Sequence, residues 1–225
     1  MFKMRFIGLV GAALLAAAAC SHTRPYVRDR ALEGLPESLV TDALRARLVL
    51  VGDAGEANAA TLADVAEWAG LAPAETLVVF LGDNMYPEGM TPARRNEADR
   101  RLLPQIEAVS GNGARVLFVP GNHDWADGEA GGQEAVLAQA DYIRERTPQA
   151  DSYLPVDGCP GPVAIDPFPG LRVVAVDSQW WLHPWEKPRE ACPVSEPEAF
   201  REELARAVDA ERDVVVVAHH PLTGH

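Results

Sequence analysis

Basic residues are scarce: 20 Lys and Arg stand against 33 Asp and Glu in 225 residues, giving a formal charge of −13 and a pI near 4.8. Nucleic-acid binders grip a polyanion through clustered cations, so this balance argues against that class. Small phosphate esters stay possible, provided metal ions or a few local cations draw the anion in. Cysteine is almost missing, with only Cys20, Cys159 and Cys192. Neither Cys159 nor Cys192 has a nearby Cys or His at ligand spacing, which argues against a zinc site. No long apolar run exists either; Phe6–Ala19 has fourteen residues, too few for a comfortable membrane span. There is no internal repeat.

The short apolar run that is present sits behind Lys3 and Arg5 and ends in small residues before Cys20, the pattern of an export leader. It resembles the lipobox of bacterial lipoproteins, which implies a signal over residues 1–19 and Cys20 as the lipidated first mature residue. An ordinary secretory signal is the other reading. Both put the protein outside the cytoplasm, in the periplasm or on the outer surface, with membrane contact only through the anchor. An even pair of cysteines then remains, and an oxidising compartment favours a Cys159–Cys192 disulfide over two free thiols. Residues 20–45 lack a clear period and read as a tether and lead-in segment, followed by one domain over 46–225.

With 48% apolar and 24% charged residues the domain can bury a real core. Five valine-rich runs, Arg47–Gly52, Thr76–Gly82, Arg115–Pro120, Leu171–Asp177 and Asp213–Ala218, read as buried strands, with Pro162–Ile165 as a shorter sixth. Helical stretches lie between them: Ala57–Ala69, Pro92–Val109, Gly132–Arg146 and Glu196–Ala210. Ser195 with Glu198, and Pro197 between them, forms a capping box at the last. The alternation predicts an α/β fold with a mainly parallel sheet covered on both sides. Polar groups just past the carboxyl ends of such strands converge in one crevice.

Four strands end with such groups: LVLVGDAG at Asp53, VVFLGDNMY at Asp83, Asn84 and Tyr86, VLFVPGNHDW at Asn122, His123 and Asp124, and VVVVAHHP at His219 and His220. Singly, each has a bland explanation, since Gly-Asp and Gly-Asn form turns and Asp caps helices. Four in succession within one array argue for a shared site. Phosphate ester hydrolysis needs neutralised oxygens and hydroxide near neutral pH, which a pair of cations supplies. Carboxylate, amide, phenolate and imidazole suit Fe, Zn or Mn better than Ca or Mg.

GDAG, GDNMY, GNHDW and AHHP, in this order at strand ends, resemble the motifs of the calcineurin-like metallophosphoesterase superfamily, and most closely its purple acid phosphatase branch. The usual first motif carries a histidine two residues after the aspartate; here Asp53 precedes Ala54 and Gly55, and Tyr86 stands where that branch supplies a tyrosine instead. The resemblance implies a four-layer αββα sandwich and a dinuclear centre. Asp53 and Tyr86 would bind the first metal, Asp83 would bridge, and Asn122 and His219 would bind the second. His123, oriented by Asp124, would protonate the leaving oxygen or bind phosphate; His220 would line the substrate cleft or pack beside Pro221. The implied reaction is phosphate monoester hydrolysis by a metal-bound hydroxide, on a small-molecule substrate. A phosphodiesterase or nucleotidase could use the same site, and a non-catalytic envelope lipoprotein could keep the fold as a binding module.

The superfamily completes its site with a Gly-His-X-His motif on a later strand, whereas this sequence reaches Gly224-His225 only a few residues after His219. The expectation is therefore a C-terminally incomplete domain with an unfinished second sheet and weak metal retention. Two further stretches stand out. DSQWWLHPWE (177–186) reads as a hydrophobic plug ahead of a substrate-selecting aromatic rim, and ARRNEADRR (93–101) as a solvated face ahead of a phosphate clamp.

Overall fold

A computed structural model describes residues 45–208 and 211–221. The leader, Cys20, nearly all of the tether and His225 lie outside these residues. Among the described residues no helix is long and apolar enough to cross a membrane.

The valine-rich runs form strands that divide, among the described residues, between two three-stranded sheets, as the αββα resemblance implies and unlike the single sheet read from the strand-helix alternation. β1 (Arg47–Val51), β2 (Thr76–Leu81) and β3 (Arg115–Val119) pair in parallel in that order. In the second sheet β4 (Val163–Phe168) runs antiparallel to β5 (Leu171–Ala175), which pairs in parallel with β6 (Asp213–Val217). Two residues, Pro169 and Gly170, join β4 to β5, and so short a connection permits only an antiparallel hairpin. β4 extends beyond the expected Ile165 by accommodating Pro167 at a bulge on an edge strand, where a missing N–H is tolerated.

The sandwich follows from the alternation of side chains along β2. Val78 and Phe80 face one core with Val116 and Phe118, covered by Leu62 and Val65 of α1 (Ala59–Leu71), Ile106 of α3 (Leu103–Ser110) and Ile143 of α4 (Gly132–Arg146). Leu77 and Val79 face the other way, with Leu117 and Val119, onto Phe168, Val173, Ala175 and Val217 of the second sheet. Phe80 and Phe118 are register partners whose rings stack at 4.6 Å, so the pairing of β2 with β3 is fixed by a buried aromatic contact.

The helix expected over 92–109 is broken into a 3₁₀ turn at Arg95–Glu97, α2 (Ala98–Arg101) and α3. Pro104 in the first turn of α3 has no N–H to continue the ladder, and its ring clashes with the carbonyl four residues earlier. α1 starts at Ala59 because the Asn58 side chain accepts from the N–H groups of Ala60 and Thr61. α6 (Pro197–Val208) lies within the helix expected over Glu196–Ala210, whose last two residues are outside the described set.

A short helix not expected from the sequence, α5 (Ser178–Leu182), carries the tryptophan-rich segment. Asp177 caps it, accepting from Trp180 N–H and from Trp125 Nε1. Trp180 and His183 are buried and Trp125 packs on the His183 ring, so the aromatic part of this stretch is mainly a plug, with Leu182 and Trp185 as its exposed large apolar side chains. Cys159 and Cys192 are disulfide-bonded, with Cα atoms 5.5 Å apart, closing the loop that holds the plug. A cross-link over 33 residues of sequence stabilises by about 3–4 kcal/mol in the chain-entropy account.

Candidate metal centre

Because β1, β2 and β3 are parallel, their carboxyl ends share one edge, and Gly52-Asp53, Gly82-Asp83 and Gly121-Asn122 leave it side by side. β6 ends at the same place from the opposite sheet. Ligand atoms of Asp53, Asp83 and His219 all lie within 4.8 Å of one another. Asp53 and Asp83 both adopt left-handed backbone conformations, with φ of 56° and 54°, a region uncommon for residues other than glycine and frequent at functional sites.

The buried carboxylate of Asp83 is the middle of the group, and its two oxygens face different neighbours. Oδ2 accepts from the Tyr86 hydroxyl at 3.2 Å, and the same hydroxyl lies 3.1 Å from Asp53 Oδ1. Oδ1 lies 3.4 Å from His219 Nε2 and accepts from the His123 backbone N–H at 3.1 Å. Glycine is required beside it. A Cβ on Gly121 would sit 2.5 Å from the Asp83 nitrogen and against Oδ1, and one on Gly82 would sit 2.7 Å from His219 Nδ1.

On the Oδ1 side the hydrogen-bond pattern leaves acceptors facing acceptors. His219 Nδ1 lies 2.9 Å from the Leu81 carbonyl, which can only accept, so the hydrogen is on Nδ1 and the Nε2 lone pair points inward. Asn122 Nδ2 donates to the Asp127 carboxylate at 3.2 Å, so its Oδ1 turns inward and lies 3.2 Å from His219 Nε2. Nitrogen and oxygen lone pairs therefore converge with Asp83 Oδ1, and a cation, or a second proton on the imidazole, is what reconciles them. The Tyr86 phenol is pushed above its ordinary value, first by burial and then by the charges of Asp83 and Asp53. A bound cation would reverse that effect. The donor set around Asp83 thus fits a bound cation.

The calcineurin-like phosphoesterase family model matches residues 46–225. The chain belongs to that family. No curated protein matches the chain. This phosphoesterase therefore carries a domain type associated with metal-dependent hydrolysis of phosphate esters, and the acidic and histidine cluster lies at its strand ends.

One expectation is corrected. Asp124 does not orient His123; it is fully buried and its carboxylate is spent on donors from two loops. Oδ1 accepts from the N–H groups of Asn84 and Met85, and Oδ2 from Gly121 N–H at 2.8 Å and Asn84 Nδ2 at 3.0 Å. Asp124 thereby binds the loop carrying Asp83 to the loop carrying Asn122. Burial pushes its carboxyl up to about 6, against the opposing effect of the Gly121 N–H bond. The His123 ring is held instead by the Pro87 carbonyl and by Asp127 Oδ1 at 3.3 Å, both at Nδ1. Its Nε2 faces Asp83 Oδ2 at 3.8 Å. His220 packs edge-on against His219 and shares two contacts of 3.0 Å with Ser178 Oγ, one to its ring Nδ1 and one from its backbone N–H.

Asp127 lies two residues past the GNHDW motif, in a left-handed turn with φ of 54°, and so carries no signal in the motif itself. A second buried carboxylate, Asp177, is pushed up to about 7, chiefly by burial. Its folded value lies above the unfolded one, so the folded state holds the proton more tightly. The associated stability is present below the unfolded value and is lost as pH rises through about 7. Urea unfolding between pH 4 and 7 should show stability falling by up to ~1.4 kcal/mol per pH unit from this group. Asp177→Asn should flatten that slope; an unchanged slope would contradict the assignment.

Proposed function

We propose that this phosphoesterase hydrolyses phosphate monoesters at a centre of two metal ions, Fe, Zn or Mn, in the manner of the purple acid phosphatases. The carrying observation is the division of labour at Asp83, whose two oxygens face separate donor groups. In this reading Asp53, Tyr86 and Asp83 would hold the first metal, and Asp83, Asn122 and His219 the second. Bound cations supply charge neutralisation for the phosphoryl oxygens and make hydroxide accessible near neutral pH.

The chain's own residues do the rest. Tyr86 takes the place of the missing histidine after Asp53. His123, anchored at Nδ1, keeps Nε2 toward the site, where it can give a proton to the leaving oxygen. His220, fixed by Ser178, borders the ligand His219 and is suited to contact substrate. We further propose that the protein works outside the cytoplasm, anchored through Cys20, a reading supported by the leader sequence and by the disulfide.

Substrate class is tested by comparing p-nitrophenyl phosphate with its bis ester, using the metal-loaded protein. The monoester is expected to give the higher kcat/KM. Preference for the bis ester would support a phosphodiesterase, and hydrolysis of neither by protein with both sites filled would support a non-catalytic binding module.

A further inference from the structure

The cationic stretch ARRNEADRR is neither of the things its sequence offers. Arg94 Nη2 reaches the Tyr86 carbonyl at 3.4 Å and Arg101 Nη1 reaches the Gly55 carbonyl at 3.1 Å. Glu97 Oε2 joins the two guanidinium groups, at 2.9 Å from Arg94 and 3.2 Å from Arg101. One turn later Gln105, fully buried, donates to the Asn84 carbonyl at 2.8 Å. Gly55 lies two residues past Asp53, while Asn84 and Tyr86 follow Asp83. Three side chains from one segment thus hold three carbonyls of the two loops that bear the acidic ligands. The Gly55 carbonyl also accepts from Tyr86 N–H at 3.4 Å, so the loops meet where the clamp closes.

These loops need holding. Asp53, Ala57 and Asp83 all sit at positive φ, and two carboxylates face each other across the Tyr86 hydroxyl. Without a cation, strain and like-charge repulsion both favour opening. Arg94, Arg101 and Glu97 are largely buried, with side-chain exposures of 21%, 14% and 22%, whereas Arg100 beside them is 72% exposed. A purely solvated face would not bury three charges and direct two of them at backbone oxygens. A phosphate clamp would leave the guanidinium groups free to meet an anion, but Arg94 and Arg101 are already paired, with Glu97, which Arg100 shares, and Arg101 also with Glu56.

We propose that residues 94–105 form a carbonyl clamp that preorganises Asp53, Asp83 and Tyr86 for the first metal, with Arg94, Arg101 and Gln105 as positioning residues and Glu97 as their joint. This rests on the metal centre proposed above. Its effect is to hold the ligand loops together before metal binds, so that binding energy is not spent on closing them.

The test is a Mn(II) titration of the full chain, wild type against Arg101→Met and Glu97→Gln, followed by kinetics on p-nitrophenyl phosphate at saturating Mn(II). Loss of an outer partner of this kind should weaken binding of one Mn(II) equivalent by about 10–100-fold, with KM and inhibition by inorganic phosphate changed by less than about twofold. Glu97→Gln is the milder change and carries the comparison if Arg101→Met fails to fold; circular dichroism reports folding for both. Higher KM and weaker phosphate inhibition with unchanged Mn(II) affinity would make the arginines a substrate clamp and overturn the proposal. Unchanged Mn(II) affinity and kinetics would return the stretch to a solvated face. Wild-type protein that binds none of Mn(II), Zn(II) or Fe(II) would remove the metal centre itself, and the clamp with it.

Discussion

Asp83→Asn is expected to lower kcat/KM for p-nitrophenyl phosphate by more than about 10³-fold while leaving the metal-free fold at least as stable as before. Both halves of that outcome come from the same geometry. Asparagine keeps the shape of the side chain and tolerates left-handed backbone, so the φ of 54° adds no new strain. The substitution also removes a charge that faces Asp53 across the Tyr86 hydroxyl. What it cannot keep is two anionic oxygens directed at two different groups of donors. Parallel kinetics and urea unfolding of metal-free protein would show activity and stability moving apart, as expected where a site is built at some expense to the fold. A variant that unfolds instead would make Asp83 a structural residue.

The second large effect is expected at Asp124. Its two oxygens receive hydrogen bonds from donors only, and Asp124→Asn would turn an amide N–H₂ toward some of them. Buried donors left without an acceptor should reduce stability by about 2–4 kcal/mol. Activity should fall as well, by roughly 10²-fold, because the Asp83 and Asn122 loops lose their common anchor and a displacement of the ligands near 1 Å is enough for that. Excess metal should not restore it. A stable variant with wild-type kinetics would show that the loops hold their geometry without this carboxylate.

Much of this was legible in the sequence because continuously apolar runs announce buried strands, and the polar residues that follow them fall at one edge of a parallel sheet. That logic placed Asp53, Asp83, Tyr86 and Asn122 among the polar groups at one strand edge, which His219 reaches from the second sheet; the choice of these five as ligands came from the family resemblance. The two-sheet sandwich came from the family resemblance and not from the strand pattern, since runs of valine look alike whether they face helices or a second sheet; the Pro169–Gly170 turn marks the hairpin. Pro104 marks the break in the helix expected over 92–109, because it has no N–H to continue the ladder. The supporting residues were harder to see for another reason. Asp124, Asp127, Arg94 and Arg101 act largely on backbone groups or on neighbours from other loops, and a backbone carbonyl leaves no mark in the sequence to show which guanidinium it will meet.

The most direct test of the account is equilibrium dialysis of wild type and Asp83→Asn against excess Mn(II), with bound metal counted by elemental analysis. A carboxylate shared between two sites predicts two equivalents per wild-type chain, and loss of both together in the variant. Binding of a single equivalent by the wild type, or two equivalents retained by Asp83→Asn, would contradict a dinuclear centre organised around Asp83.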